Sequence, residues 1–103
     1  MHARMSRIAG LPPERIDEAR QYFEQAELPA LQKQQGYQGV IVMVDRNDGR
    51  ATAITFWDTL DDLKASDRTA DQAREATMER ARSVDPSREP VIERYEVLIQ
   101  EQA

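Results

Sequence analysis

The chain has 103 residues, no cysteine, and 14 basic against 19 acidic side chains, for a net charge of −5. That length predicts a single domain over residues 1–103 with a thin core, and the acidic, interspersed charge argues against nucleic acid or anionic membrane as partners, since both need a basic footprint. Lack of cysteine excludes a disulfide framework, thiol catalysis and cysteine-ligated zinc or iron–sulfur clusters.

The opening MHARMSRIAG carries no apolar run of the kind a signal peptide needs. No stretch approaches the ~18 apolar residues of a membrane span, so a cytoplasmic protein is the expectation. Residues 3–9 read as a first strand. Gly10-Leu11-Pro12-Pro13 breaks it and opens a helix, where an early proline is tolerated. From Glu14 the period changes: Ile16, Ala19, Phe23, Ala26 and Ala30 fall three or four apart on one helical face. Pro29 inside that pattern predicts a kink or interruption near Leu28. Gly36 is placed to cap the end.

Two strands follow between Tyr37 and Asp58. Val40, Val42 and Val44 share one face, and Ile41 and Met43 the other. Asp48-Gly49 is a two-residue hairpin signal of the type I′ kind. Its register would set Val44 opposite Ala53, Val42 opposite Thr55 and Val40 opposite Trp57, with Met43 on Ile54 and Ile41 on Phe56. Thr59 reads as an N-cap, with Asp61 and Asp62 in the positive first turn. Thr69 and Gln72 match a capping box, after which Ala70, Ala73, Ala76 or Thr77, and Ala81 form a narrow stripe down to about Val84. Residues 85–90 read as a loop and 91–100 as a last strand. The order is βαββαβ: an α+β, ferredoxin-like domain with a four-stranded antiparallel sheet and two helices on one face. The hairpin and the last strand are apolar on both faces, which predicts a homodimer whose two sheets form a shared barrel.

The string Gly36-Tyr37-Gln38-Gly39, an apolar strand, Asp48-Gly49, and then Phe56-Trp57-Asp58-Thr59 resembles the antibiotic biosynthesis monooxygenase (ABM) family of the dimeric α+β barrel superfamily. The ending Glu93-Arg94-Tyr95-Glu96-Val97 resembles that family's final strand. The likeness runs from about Met5 to Gln100 and is closest to members of unknown role. It implies a dimeric α+β barrel. It also implies one of two functions. The first is a monooxygenase without bound cofactor or metal, acting on a small aromatic or quinol-type molecule. The second is a non-catalytic dimeric module that binds a small apolar ligand or plays an accessory part. The haem-degrading branch has an Asn on the first strand, a second Trp in the following helix and a His soon after. This chain has Arg4, Ser6 and Arg7 on that strand, Trp57 as its sole Trp, and no His in residues 60–84, so haem degradation is disfavoured.

Trp57 could stack on a flat ligand, and the resemblance places it loosely at the family's pocket; as plain chemistry it reads first as a core anchor at the end of the third strand. Tyr37, Tyr22 and Tyr95 could bond a substrate hydroxyl, or sit as amphipathic residues at a core rim. Arg7 and Arg94 could steady an anionic intermediate, or pair with nearby Glu. His2, the sole histidine, lies at the chain start, so one chain offers no Ser-His-Asp triad. Asp45-x-Asn47-Asp48-Gly49 lacks the spacing and the distal Glu of a calcium loop. Asp58, Asp61 and Asp62 read as helix N-terminal charge, which leaves no metal site. The expected pocket lies between sheet and helices, with room left by the Ala stripe.

Overall fold

The computed structural model describes residues 1–68 and 91–102. The expected capping box at Thr69, the Ala stripe and the 85–90 loop lie outside the described residues. Strand β1 (His2–Ile8) leads into a 3₁₀ turn (Pro13–Arg15) and helix α1 (Ile16–Tyr22). A π-helical turn (Phe23–Glu27) joins α1 to α2 (Leu28–Gln32). Strands β2 (Tyr37–Asp45) and β3 (Arg50–Trp57) follow, then helix α3 over 60–68, and finally β4 (Val91–Glu96). The strands form one antiparallel sheet in the order β2-β3-β1-β4, the arrangement expected of βαββαβ.

Pro29 interrupts the helix in a specific way. The ring has no N–H to return to the fourth residue behind it. The chain widens just before it into the π turn, where the Leu28 N–H reaches back five residues to the Phe23 carbonyl. Helix α2 then restarts with Pro29 in its first turn. Thr59 caps α3 as expected: its hydroxyl accepts from the Asp62 N–H at 3.0 Å.

The β2–β3 connection differs from the type I′ expectation. No non-glycine residue has positive φ among the described residues, so Asp48 cannot take the first central position of that turn. A four-residue turn over 46–49 forms instead, closed by Gly49 N–H to the Asp45 carbonyl at 2.9 Å. The Asp45 carboxylate accepts from the Asn47 N–H at 2.8 Å and pairs with Arg50 at 3.1 Å, which favours the longer loop. The register moves accordingly to Val44↔Ala51, Val42↔Ala53 and Val40↔Thr55. The shift is two residues, so every side chain stays on its expected face.

Gly49 is set by close approach. Its φ is +75°, it accepts the Leu11 N–H at 3.1 Å, and a Cβ there would collide with the Leu11 carbonyl oxygen. Gly49→Ala should destabilise the domain by at least about 1 kcal/mol, read as a lower urea midpoint with unchanged slope.

One face of the sheet carries the helices. His2, Arg4, Ser6 and Ile8 of β1 share it with Ala51, Ala53, Thr55 and Trp57 of β3. Trp57 and Leu63 are fully buried there with Leu31, and Phe23 and Tyr37 pack against them. The other face is open: Ile41, Met43, Val91 and Tyr95 are 46, 49, 50 and 47 % exposed. Strand β4 ends at Glu96, four residues short of the expected strand end at Gln100. Beyond the bond from the Val97 N–H to the Met1 carbonyl at 2.9 Å, no described strand lies alongside to pair with it. No described helix is long and apolar enough to cross a membrane.

Candidate functional site

Two places on the helix-bearing face concentrate structure. The first is a polar cluster under the sheet's Trp57 end. Arg4 alternates onto the helix side of β1 and is 2 % exposed. Its Nη1 donates to Ser66 Oγ at 2.8 Å and to Asp67 Oδ1 at 2.9 Å, and its guanidinium lies 5.6 Å from the Trp57 ring centroid. Arg94 donates to the second Asp67 oxygen at 2.9 Å. Burial pushes the Arg4 pKa down, while the hydrogen bond and charge of Asp67 oppose the shift. The cluster ties β1, α3 and β4 together. Every buried polar side-chain atom of the described residues has a partner, so the cluster is satisfied within the protein. Arg4 is not among the site residues expected from the sequence. Its signal was a lone charge on an inward position of a central strand, legible only once the facing Trp57 was known.

Trp57 and Tyr37 come together. A register irregularity between Tyr37 and Gly39, with Gly39 at φ +138°, brings Tyr37 opposite Trp57. Their rings meet edge to face with centroids 5.8 Å apart. The Trp57 indole N–H donates to Thr55 Oγ1 at 3.0 Å. Burial raises the Tyr37 hydroxyl above its ordinary pKa. Tyr22 sits half-buried at the end of α1. Arg7 and Tyr95 lie on the open face, 180° away from Trp57 by strand alternation, and both bind Glu93. The Tyr95 hydroxyl, and behind it Arg7, hold the Glu93 carboxyl below the usual range.

The second place is a partly enclosed cleft of about 420 Å³ between the sheet and the first helical segment. Ser6, Ile8, Val42, Val44, Ala51 and Ala53 form its floor on the sheet. Leu11, Ile16, Ala19, Phe23 and Leu28 form its roof. The lining is mainly apolar, and the small alanines on β3 leave open a space that larger side chains would fill. Arg20, Glu24, Glu27 and Arg46 are the ionisable groups in its lining. Arg20 donates to Glu24 at 2.9 Å, and Arg46 donates to Asp17 at 3.0 Å, joining the hairpin loop to α1. Arg46 also holds the Asp17 carboxyl below its usual pKa. None of Trp57, Tyr37, Tyr22, Tyr95 and Arg7 is in this lining. Alternation puts Ala51 and Ala53 on the same face as Trp57, but the empty volume above them depends on where α1 lies. Among the described residues, no three His, Asp or Glu side chains are placed to hold a metal ion.

No family model matches the chain, and no curated protein matches it. Solved structures do. The chain is similar to SnoaB of Streptomyces nogalater, a cofactor-independent oxygenase, with a TM-score of 0.64 at 12 % identity over 96 % of this chain and 94 % of that one. It is similar to the ActVA-Orf6 monooxygenase of Streptomyces coelicolor, solved with the ligand nanaomycin D, with a TM-score of 0.66 at 10 % identity over 98 % and 92 %. It is also similar to a dimeric ferredoxin-like protein from an uncultured marine organism, with a TM-score of 0.67 at 9 % identity over the whole of both chains. Identities this low establish the shared fold and nothing finer.

Proposed function

From the premise that this chain has the fold of the ABM-type monooxygenases, as its Gly36–Gly39 and Phe56–Thr59 strings imply, we propose that it is a homodimeric domain that takes a small aromatic or quinol-type molecule into the cleft beneath α1 and oxygenates it without a bound cofactor. The observation that carries this reading is the cleft itself. It has the volume and apolar lining typical of small-molecule sites, and two carboxylates, Glu24 and Glu27, are in that lining. An anthrone illustrates the chemistry. Loss of a methylene proton gives a carbanion that passes its electrons to dioxygen. One oxygen atom ends as the new carbonyl and the other as water, so the substrate supplies all the reducing equivalents. Glu24 and Glu27 are the carboxylates in the lining that can accept the proton. The apolar floor excludes water from the reacting carbon.

The dimer is supported by the open sheet face, where large apolar side chains stand half exposed. Two copies meeting through that face would form the barrel. Trp57 and Tyr37 then belong to the core cluster against which the cleft residue Phe23 packs, rather than to the lining itself, and Arg7 and Tyr95 belong to the inter-sheet surface.

A second reading has its own observation. The sheet-side floor carries no titratable side chain, which suits a carrier or accessory module that binds without reacting. Dithranol, a model anthrone, separates the two. Saturable quenching together with oxygen consumption above the uncatalysed rate is the result expected of the oxygenase. Saturable binding with no added oxygen uptake leaves only the binding module. No binding at all sinks both. Light scattering on the same sample should return twice the 11.8 kDa of one chain.

A further inference from the structure

The described lining of the cleft carries two arginines, and they stand in different situations. Arg20 is neutralised from within: its partner at 2.9 Å, Glu24, belongs to the same lining. Arg46 is held from outside. Its Nη2 donates to Asp17 Oδ1 at 3.0 Å, and Asp17 is not in the lining. The hairpin turn gives the reason. Arg50 pairs with Asp45 at 3.1 Å and with Asp48 at 2.6 Å, so Arg46 meets its carboxylate on α1 instead. That pair is open to water, with side chains 59 and 71 % exposed. An exposed ion pair of this kind is weak and exchanges readily with another carboxylate. The bond to Asp17 uses one of the five N–H donors of the guanidinium.

We propose that Arg46 determines the specificity of the cleft, and that its ligand is a flat aromatic carboxylic acid whose carboxylate displaces Asp17 from the Arg46 guanidinium. This rests on the cleft reading above and adds a charge requirement to it. Asp17 already makes the contact that the ligand acid would take over. The hydrogen bond and charge of Arg46 hold the Asp17 carboxyl below its usual range, and the same stabilisation awaits an incoming carboxylate. The planar fork of an arginine matches a carboxylate in two-point geometry. One positive charge suits the single charge of a carboxylate. A phosphate ester would bring a second charge, and in the described lining Arg20 is already engaged by Glu24.

The order of charges along the helical segment sets the ligand's direction. Arg46 is tied to Asp17 at the start of α1, whereas Glu27 ends the π turn. Those two positions lie about 15 Å apart along a helical path, with the Arg20–Glu24 pair between them. A ligand acid on Arg46 therefore stays beyond the screening length of about 8–10 Å from Glu27. Reversed, it would stand beside the Glu24 and Glu27 carboxylates. The rings then lie over Ala51 and Ala53, with Glu24 and Glu27 toward the far end. The net charge of −5 disfavours any acid at long range, so a preference for one requires a local cation.

Rhein and aloe-emodin make a matched pair of probes: one anthraquinone skeleton, bearing a carboxylate in the first and a neutral hydroxymethyl group in the second. Isothermal titration calorimetry gives both dissociation constants, and their ratio is the read-out. Wild-type protein should bind rhein about fivefold more tightly at low salt, with the preference shrinking at high salt. Arg46→Gln should bring the ratio to one or reverse it, and Arg46→Lys should keep part of it, having the charge without the fork. Asp17→Asn, which removes the competing carboxylate, should raise the ratio above that of the wild type. A purely structural Asp17–Arg46 tie would instead weaken both ligands alike in that variant. Both side chains are exposed, so the variants should fold, which circular dichroism checks. A wild-type ratio of one or below, a ratio unmoved by Arg46→Gln, or rhein binding undiminished in Ala19→Trp overturns the assignment. Binding of aloe-emodin or dithranol in the same samples leaves the cleft reading standing. If rhein, aloe-emodin and dithranol all fail to bind, both fall.

Discussion

Trp57→Ala lowers the unfolding free energy by about 3–5 kcal/mol, the range for truncating a fully buried tryptophan. Three losses combine. The ring leaves a void between Leu31 and Leu63, the two buried aliphatic residues of the same cluster. Tyr37 loses its edge-to-face neighbour. Arg4 loses the ring beneath its guanidinium while keeping Ser66 and Asp67. Against an ordinary domain stability of about 5–15 kcal/mol, that is a large fraction. The check is urea unfolding followed by circular dichroism, with Trp57→Phe as the milder companion. A cost below about 1 kcal/mol would mean that Trp57 is not the anchor of this core. The comparison also bears on function. In a variant that still folds, dithranol binding should persist, because Trp57 is outside the cleft lining. Complete loss of binding in a folded Trp57→Phe protein would move the ligand site to the Tyr37–Trp57 end.

Ala19→Trp sharply weakens ligand binding while leaving the protein folded. Ala19 projects from α1 into the cleft roof and is half-buried, so a larger side chain grows into empty space. Overpacking costs in a filled core run about 1–3 kcal/mol; a cleft of about 420 Å³ absorbs an indole with less. Dithranol affinity should fall at least about tenfold, equivalent to about 1.4 kcal/mol or more. The matched control is Gln21→Trp, on the exposed side of the same helix, which should leave binding unchanged. Equal affinities in the two variants would remove the cleft beneath α1 as the site.

Much of the architecture was legible because it rests on local periodicity. The alternation of Val40 to Val44 and of Ala51 to Trp57 assigned each side chain to a face, and even a two-residue error of register could not reverse it. Thr59 announced a helix start by its own hydroxyl, and Pro29 announced an interruption by its missing N–H. The turn departs from the type I′ expectation because Asp48-Gly49 competes with the Asp45 carboxylate and with Leu11, and Leu11 is distant in sequence. Arg4 was missed because its partners, Ser66 and Asp67, lie 62 and 63 residues away.

The chain by itself determined the α+β class, the faces of its strands and the surplus of apolar surface, since these follow from spacing along the backbone. Only the tertiary structure decided that Trp57 is sealed into the core, which of the two sheet faces the described helices cover, and that an empty volume stands above Ala51 and Ala53. The reason is physical: a cavity is set by the distance between elements, and that distance is fixed by side chains far apart in sequence that meet only on packing.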